Sequence, residues 1–575
     1  MFSLCLLKLI FVLVLYILVW VLGELMVVSF CKRFVLLVFT CVSSLKAQAP
    51  ILQDSSVAIH QKWLDSATRS ADQAAVVSDG CSTQVGMVAM GRAGDDRSPL
   101  IDGVGLGTAL SGSGIAVQAE QKAAGWFVGG TVVTLREMPL HPVRLVFQEG
   151  GLGYQSKGGW RFALEQRPFD WGFGLTGGYL GGTSYRPFSR LALETPWTKL
   201  QFLGCSLGRW RAETYLGRLE WDRRIQEWAS NPMQQANLEK NNGDIRRPNI
   251  SGFMLRGTFG ENIDLNLGLM SLWGGVRRNG ERATSGYSVK DYALAYFGAE
   301  NIAEVESSEH NGQFDNLSEF KAISDAIALV EIKARMPELA NHLGANGMFV
   351  YLSRGAENVN WQWQNFFHDP IGSIAYDFRH DIRQIKKGWH GVSGGEDSIL
   401  TWSKHQAAPS MDHPNDKAGI QMVWSGWNLG VEYSDTCTIA GIGNDGGGYR
   451  TYSHSSYLSG FSRDGDCIGM AFGGDTIARS VVVGMPLPFA GSGNLRLTDG
   501  IREFRDSEAL WHAAWGNVDP VNLRFFHAQM EAAWAWGVHR LGFAVSRMWV
   551  RNALFQSGAR STGASFALSY SLRVD

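Results

Sequence analysis

The stretch Ala564–Asp575, ASFALSYSLRVD, carries the alternation that decides how this chain is read. Phe566, Leu568, Tyr570, Leu572 and Val574 fall on one side of an extended backbone, with Ser565, Ala567, Ser569, Ser571 and Arg573 on the other. A strand has a period of two, so the segment presents one apolar face and one small or polar face. The pattern recurs upstream. Ile263, Leu265, Leu267 and Leu269 alternate with Asp264, Asn266 and Gly268, and Trp427, Leu429, Val431 and Tyr433 with Asn428, Gly430, Glu432 and Ser434. Leu541, Phe543 and Val545 repeat it again.

A soluble sandwich strand alternates too, but a second layer must then cover its apolar face. Here the alternation continues along the chain with no second kind of element to provide that cover. Closing the sheet on itself pairs every backbone group and turns the apolar face to lipid. A chain of 575 residues has room for a barrel of about 18 strands of roughly 10 residues each. The expected fold is all-β: one large antiparallel transmembrane β-barrel with a short N-terminal helical segment and no internal repeat.

Composition agrees. The chain holds 68 Gly and 21 Trp, and its charged fraction of 18% is below the roughly 25% usual in soluble domains. Mean hydropathy is −0.08, as expected when polar inward residues dilute apolar outward ones. A formal charge of −2 gives no sign of a polyanionic partner, which argues against nucleic acid. Seven Cys are present without a CxxC pair, so no zinc site is expected. Cys437 and Cys467 bracket a polar stretch and could pair in an oxidising compartment.

The amino terminus reads as an export signal. Leu4–Leu22 is apolar apart from Lys8, and Met26 then opens a second unit. That unit has basic Lys32 and Arg33, an apolar core from Phe34 and a small-residue site at Ala47-Gln48-Ala49. The expected organisation is an over-called start plus signal peptide over 1–49, with Met26 the true start. A periplasmic, partly helical segment follows over 50–110, and the barrel over 111–575. Ser55–Ala75 is the helical candidate, with Ala58, Ile59, Trp63, Leu64 and Ala67 at helical spacing. The expected location is the outer membrane of a Gram-negative bacterium.

Gly441, Gly443 and Gly446 match GxGxxG, but no helical pattern follows to receive a pyrophosphate, so a Gly-rich hairpin loop is expected. His454 and Ser456 share a strand face, and Asp435 could orient the imidazole, as in a hydrolase. Ser and His are common on barrel walls, and the expectation is no enzyme. Asp464 and Asp466 lack the bidentate Glu of a calcium loop, so a turn is expected there and neither metal nor cofactor. Trp361, Trp363, Phe366 and Phe367 sit among Gln362, Gln364, Asn365 and His368. Such a cluster is either part of an interfacial aromatic girdle or a surface on which sugars stack. The polar insertions Asn231–Asn249 and Arg354–Lys387 suit outer loops.

Four segments in order, spread over Tyr215–Thr476, carry a family likeness. They are YLGRLEWDRRI from Tyr215, LGLMSLWGG with FGAEN (Leu267–Gly275, Phe297–Asn301), VEYSDT from Val431, and YSHSSYLSGFSRDGDCIG followed by GGD. Together they resemble the Wzi family of capsule assembly proteins, with Glu300 where that family has Asp. The resemblance implies an outer-membrane barrel; its partners are expected to include outer-membrane lipid, and of the oligomeric states a monomer is favoured. Such a protein binds capsular or exopolysaccharide as a lectin does and helps retain it at the cell surface. Asp435, Tyr452, His454, Tyr457 and Arg463, with Trp361 and Trp363, are the expected polysaccharide contacts. Two departures stand out: Ser55–Ala75 is the only candidate for the family's N-terminal helical bundle, and Val574-Asp575 replaces a terminal aromatic. A diffusion porin is the alternative reading, and an outer-membrane hydrolase stands behind it.

Overall fold

A computed structural model describes residues 82–94, 113–136, 144–221, 245–296, 324–357, 415–436, 461–502 and 522–574, apart from interruptions of one to three positions. The first strands are β1 (Ser82–Gly94), β2 (Ser113–Ala123), β3 (Trp126–Arg136), β4 (Arg144–Gln155) and β5 (Arg161–Gln166). Next come β6 (Arg190–Glu194), β7 (Thr198–Phe202), β8 (Cys205–Arg218), β9 (Asn249–Phe259), β10 (Ile263–Trp273) and β11 (Ser324–Arg335). The middle holds β12 (Gly347–Glu357), β13 (Asn415–Trp424), β14 (Trp427–Asp435), β15 (Ser462–Arg463) and β16 (Asp466–Cys467). The last are β17 (Thr476–Leu487), β18 (Gly491–Arg502), β19 (Leu523–Trp536), β20 (His539–Arg551) and β21 (Arg560–Val574). Two short helices, α1 (Val289–Tyr296) and α2 (Pro337–His342), lie in connections.

Apart from the β15–β16 hairpin, these strands form a single antiparallel sheet of 19 segments. β6 and β7 both run along β8 and are two halves of one strand, so the sheet has 18 positions. Pro196, which lacks an N–H, marks the interruption between them. There Thr195 N–H donates to Ala212 O at 2.9 Å, and the Thr195 hydroxyl accepts Ala212 N–H at 2.9 Å. The sheet closes where β21 returns to β1, in a register running from Thr83↔Val574 to Gly94↔Gly563. Among the described residues this sheet keeps no edge strand.

The alternation read from the sequence sorts the residues between two surfaces. On β21, Phe566 is 47% exposed while Ala567 is 8% exposed, and on β14 Val431 is 43% exposed beside Glu432 at 2%. Met87, Val128, Leu164, Leu191, Ile332 and Val481 continue the exposed apolar outer face. Asn266, Glu331, Lys417, Asn428, Arg496, His527 and Glu531 lie on the buried inner one. Apolar outside and polar inside is the arrangement of a membrane barrel. No helix among the described residues is long and apolar enough to cross a membrane; the strands do so.

Connections alternate in kind. Short connections such as 156–160 and 537–538 gather at one end, and the long connections 219–248, 274–323, 358–414 and 436–475 leave from the other. At the 537–538 turn, Trp536 pairs with His539 and Gly537 adopts φ 57°, the left-handed conformation that matches such a turn to the strand twist. In membrane barrels the short-turn end faces the periplasm. Exposed Trp126, Trp160, Phe162, Trp536 and Tyr570 cluster towards it, as an interfacial girdle would.

Three boundaries differ from expectation. The barrel begins at Ser82, inside the segment expected to be periplasmic, rather than at 111. Val85, Met87 and Ala89 face outward there, but Gly86, Gly91 and Gly94 give the stretch the look of a loop. Likewise, Asn249 opens β9 and Arg354–Glu357 closes β12, so the outer connections are 219–248 and 358–414. The signal segment 1–49 and the helical candidate Ser55–Ala75 fall outside the described residues.

Candidate functional site

The connection from β5 to β6 turns into the barrel. Its core, WGFGLTGGYLGG over 171–182, has six glycines and no charge, so it lacks charged side chains of its own to bond the wall. The inner wall supplies them. Glu331 on β11 accepts Phe173 N–H at 3.0 Å, Asn266 Nδ2–H at 3.0 Å and the Ser353 hydroxyl at 2.6 Å. Glu432 on β14 accepts Leu175 N–H at 2.6 Å, Thr176 N–H at 3.1 Å and the Tyr351 hydroxyl at 2.5 Å, and also bonds the Thr176 hydroxyl. Between them on β13, Lys417 Nζ donates to Gly177 O at 2.6 Å and Phe173 O at 3.2 Å. A buried charge is tolerable only when its bonding capacity is met, and here the strap's backbone largely meets it.

Close approach depends on missing side chains. A Cβ on Gly174 would lie 2.5 Å from Lys417 Nζ and 2.7 Å from Gly177 O. The wall is indented in the same way. A Cβ on Gly355 of β12 would meet the Tyr179 ring at 2.2 Å, and one on Gly268 of β10 would meet Leu180 at 2.6 Å.

A second insertion, residues 461–474 between β14 and β17, packs on the first. Gly182 N–H donates to Ile468 O at 2.8 Å, and Ala471 N–H to Thr176 O at 3.2 Å. Phe461, Cys467, Ile468 and Met470 join Trp171, Tyr179, Leu180, Tyr185 and Phe188 in one buried cluster with the wall residues Tyr215, Met254, Met270 and Leu329. Phe472 continues the contact to Phe525 on β19, ring centroids 4.8 Å apart. The two insertions thus bridge β8, where Trp171 Nε1–H donates to Glu213 at 3.0 Å, and β19.

Towards the short-turn end the inner wall carries a ladder of ion pairs. Glu165 pairs with Arg190 at 2.8 Å, Glu194 with Arg161 at 2.7 Å, Glu213 with Arg256 at 3.0 Å, and Asp264 with Arg335 at 2.8 Å and Lys333 at 3.2 Å. Facing strands therefore satisfy one another's charges across β5 to β11.

Of the expected polysaccharide contacts, the structure places two. Asp435 ends β14, opposite Asp416 and Ile477. Arg463 stands opposite Asp466 in the β15–β16 hairpin, and positions 464–465 lie outside the described residues. Tyr452, His454, Tyr457, Trp361 and Trp363 lie outside the described residues, as do Ser456, Cys437 and the glycines 441–446. The wall groups Glu331, Lys417 and Glu432 were not singled out from sequence. The signal they leave is a charge at an inward position of a strand whose outward positions are apolar, as at Glu331 in AIALVEIKAR, together with an unusually glycine-dense connection.

Closure, the outward apolar face and the girdle define an outer-membrane β-barrel. No family model matches the chain, and no curated protein matches it. Among solved structures it is similar to Wzi of Escherichia coli, an outer-membrane protein involved in group 1 capsule assembly and described as a carbohydrate-binding β-barrel. That match has 14% identity, covers 88% of this chain and 86% of that one, and has a TM-score of 0.50. It is also similar to OprD of Pseudomonas aeruginosa, at 9% identity over 88% of this chain and 96% of that one, TM-score 0.38. OccAB2 of Acinetobacter baumannii gives 7% identity over 87% and 100% of the two chains, TM-score 0.40.

Proposed function

We propose that this protein is an outer-membrane barrel of the Wzi kind, exported by its N-terminal signal, that binds surface polysaccharide and holds it at the cell surface without acting as an enzyme. The observation that carries this reading is the double insertion seated on Glu331, Lys417 and Glu432. A diffusion channel needs a hydrated path lined by polar groups free to face water. Here the carboxylates are taken up by strap N–H groups, and the insertions bury an apolar cluster across the interior. Such a barrel is a rigid support for its outer loops. The ordered motifs from Tyr215 to Thr476 and the fold shared with a carbohydrate-binding barrel support glycan as what those loops bind. Asp435, Tyr452, His454, Tyr457, Arg463, Trp361 and Trp363 are the proposed contacts.

Planar-bilayer recording separates this reading from the porin. Purified protein should give no steady conductance, whereas persistent ohmic steps from the wild type would favour the porin.

A further inference from the structure

The rim at the long-connection end carries a cationic cluster that the interior site does not use. β8 ends at Arg218, runs on through Leu219, Glu220 and Trp221, and the chain returns at 245–248 before β9. Leu219 N–H donates to Pro248 O at 3.0 Å, and Arg247 N–H to Glu220 O at 3.0 Å. Arg246 exchanges backbone hydrogen bonds with Val276, at 2.9 and 2.7 Å, and Val276 bridges onward to Arg282. Separate segments are thereby stitched into a small platform. Arg246 and Arg282 flank Val276, which puts their backbones about 10 Å apart.

Trp221 is 42% exposed, and the guanidinium carbons of Arg246 and Arg247 each lie 5.5 Å from its ring centroid. In an extended chain, consecutive side chains point to opposite faces. Arg247 instead has φ 48°, a left-handed conformation that costs a non-glycine residue free energy, and both arginines reach one ring. Arg218, Arg246, Arg247 and Arg282 are all exposed, and no ion pair among the described residues involves them. Like charges held together repel unless a counter-charge is supplied. The formal charge of −2 for the whole chain conceals this local excess.

We infer that this rim is a binding site for an acidic saccharide, the carboxylate-bearing units of a polysaccharide at the cell-surface mouth. A guanidinium fork matches a carboxylate with two parallel hydrogen bonds, and the Trp221 ring holds two such forks in place by cation–π attraction. The inference rests on the polysaccharide reading and names its substrate class.

The test uses the full-length protein in detergent, with polygalacturonate hexamer as acidic probe and neutral dextran of similar length as control. The wild type should bind the hexamer, more weakly as salt rises, and should not bind dextran. Arg246→Gln combined with Arg247→Asn should weaken binding roughly tenfold or more, Asn being tolerant of the left-handed backbone. Arg246→Gln alone, which leaves that backbone untouched, should give an intermediate loss. Both variants should keep the wild-type migration of an unheated barrel on a gel. Equal affinity in wild type and double variant, or preference for phosphorylated lipopolysaccharide core over the hexamer, overturns the inference. So does tighter binding of dextran. Retention of polymer by a strain deleted for the protein instead overturns the tethering reading, whatever the hexamer shows, so the two failures are distinct.

Discussion

Lys417 and Glu432, on adjacent strands, grip the same turn of the strap from two sides. Lys417 Nζ donates to Gly177 O at 2.6 Å, and Glu432 accepts Leu175 N–H at 2.6 Å. One takes the strap's carbonyls and the other its amides, so each charge is neutralised through a peptide rather than by the other. That explains how uncharged, glycine-rich sequence can be anchored at one place in a polar interior.

Glu432→Gln keeps the shape but lowers the acceptor strength and turns one oxygen into a donor facing Leu175 or Thr176 N–H. A buried N–H without its acceptor costs about 1–3 kcal/mol. The variant should unfold at lower temperature when heat-modified migration is followed on a gel. Glu432→Ala should in addition show intermittent conductance in bilayers, as the strap loses its seat. Unchanged thermal behaviour in both variants would remove Glu432 from its role as anchor.

Tyr179 and Gly355 form a ring-and-dent pair whose coupling can be measured. Gly355→Ala places a methyl where the ring now sits, 2.2 Å from its nearest atom. Alone it should destabilise the barrel by roughly 1–3 kcal/mol, the usual cost of overpacking. Combined with Tyr179→Leu it should cost less than the two single changes summed, because the smaller side chain leaves room. Strict additivity would mean the ring does not rest on that wall position. Gly347→Ala, with open space around its Cβ position, is the matched control.

Val481 lies at the centre of β17 on the exposed apolar face. Val481→Arg should cost roughly 2–4 kcal/mol if that face meets lipid at mid-depth. Assembled barrel recovered from outer-membrane fractions should fall accordingly. A soluble protein would accept the same change at an exposed site with almost no effect, so full recovery would contradict a membrane-embedded face.

Much of the barrel was legible because it rests on a local rule. The faces of 566–570, 263–269 and 427–434 follow from period two. β1 was missed for a physical reason: its glycines carry no side chain and so no alternation signal. The interior site was illegible for a different one. Glu331 and Glu432 stand 101 positions apart, and their common partner lies more than 150 residues upstream of either. Nothing in the local pattern of any of the three segments specifies that meeting. The strap could be seen only as a loop, since a glycine-rich run looks the same whether it leaves the barrel or enters it.

Trp361 and Trp363 carry their own expectation. If Trp361 and Trp363 stack on sugar rings, each contributes on the order of 1 kcal/mol, so single Ala substitutions should only loosen polymer retention. The double change should release more polymer than either alone while the barrel still assembles. Equal retention in all three strains would assign both residues to the aromatic girdle.

The most direct measurement is the partition of polysaccharide between cells and medium in a strain deleted for this protein and in the same strain complemented. On the proposed tethering role, total polymer should stay near the wild-type amount while most of it moves into the medium. Complementation with the intact chain should return it to the cell. Polymer that remains cell-bound in the deletion strain would contradict the tethering account.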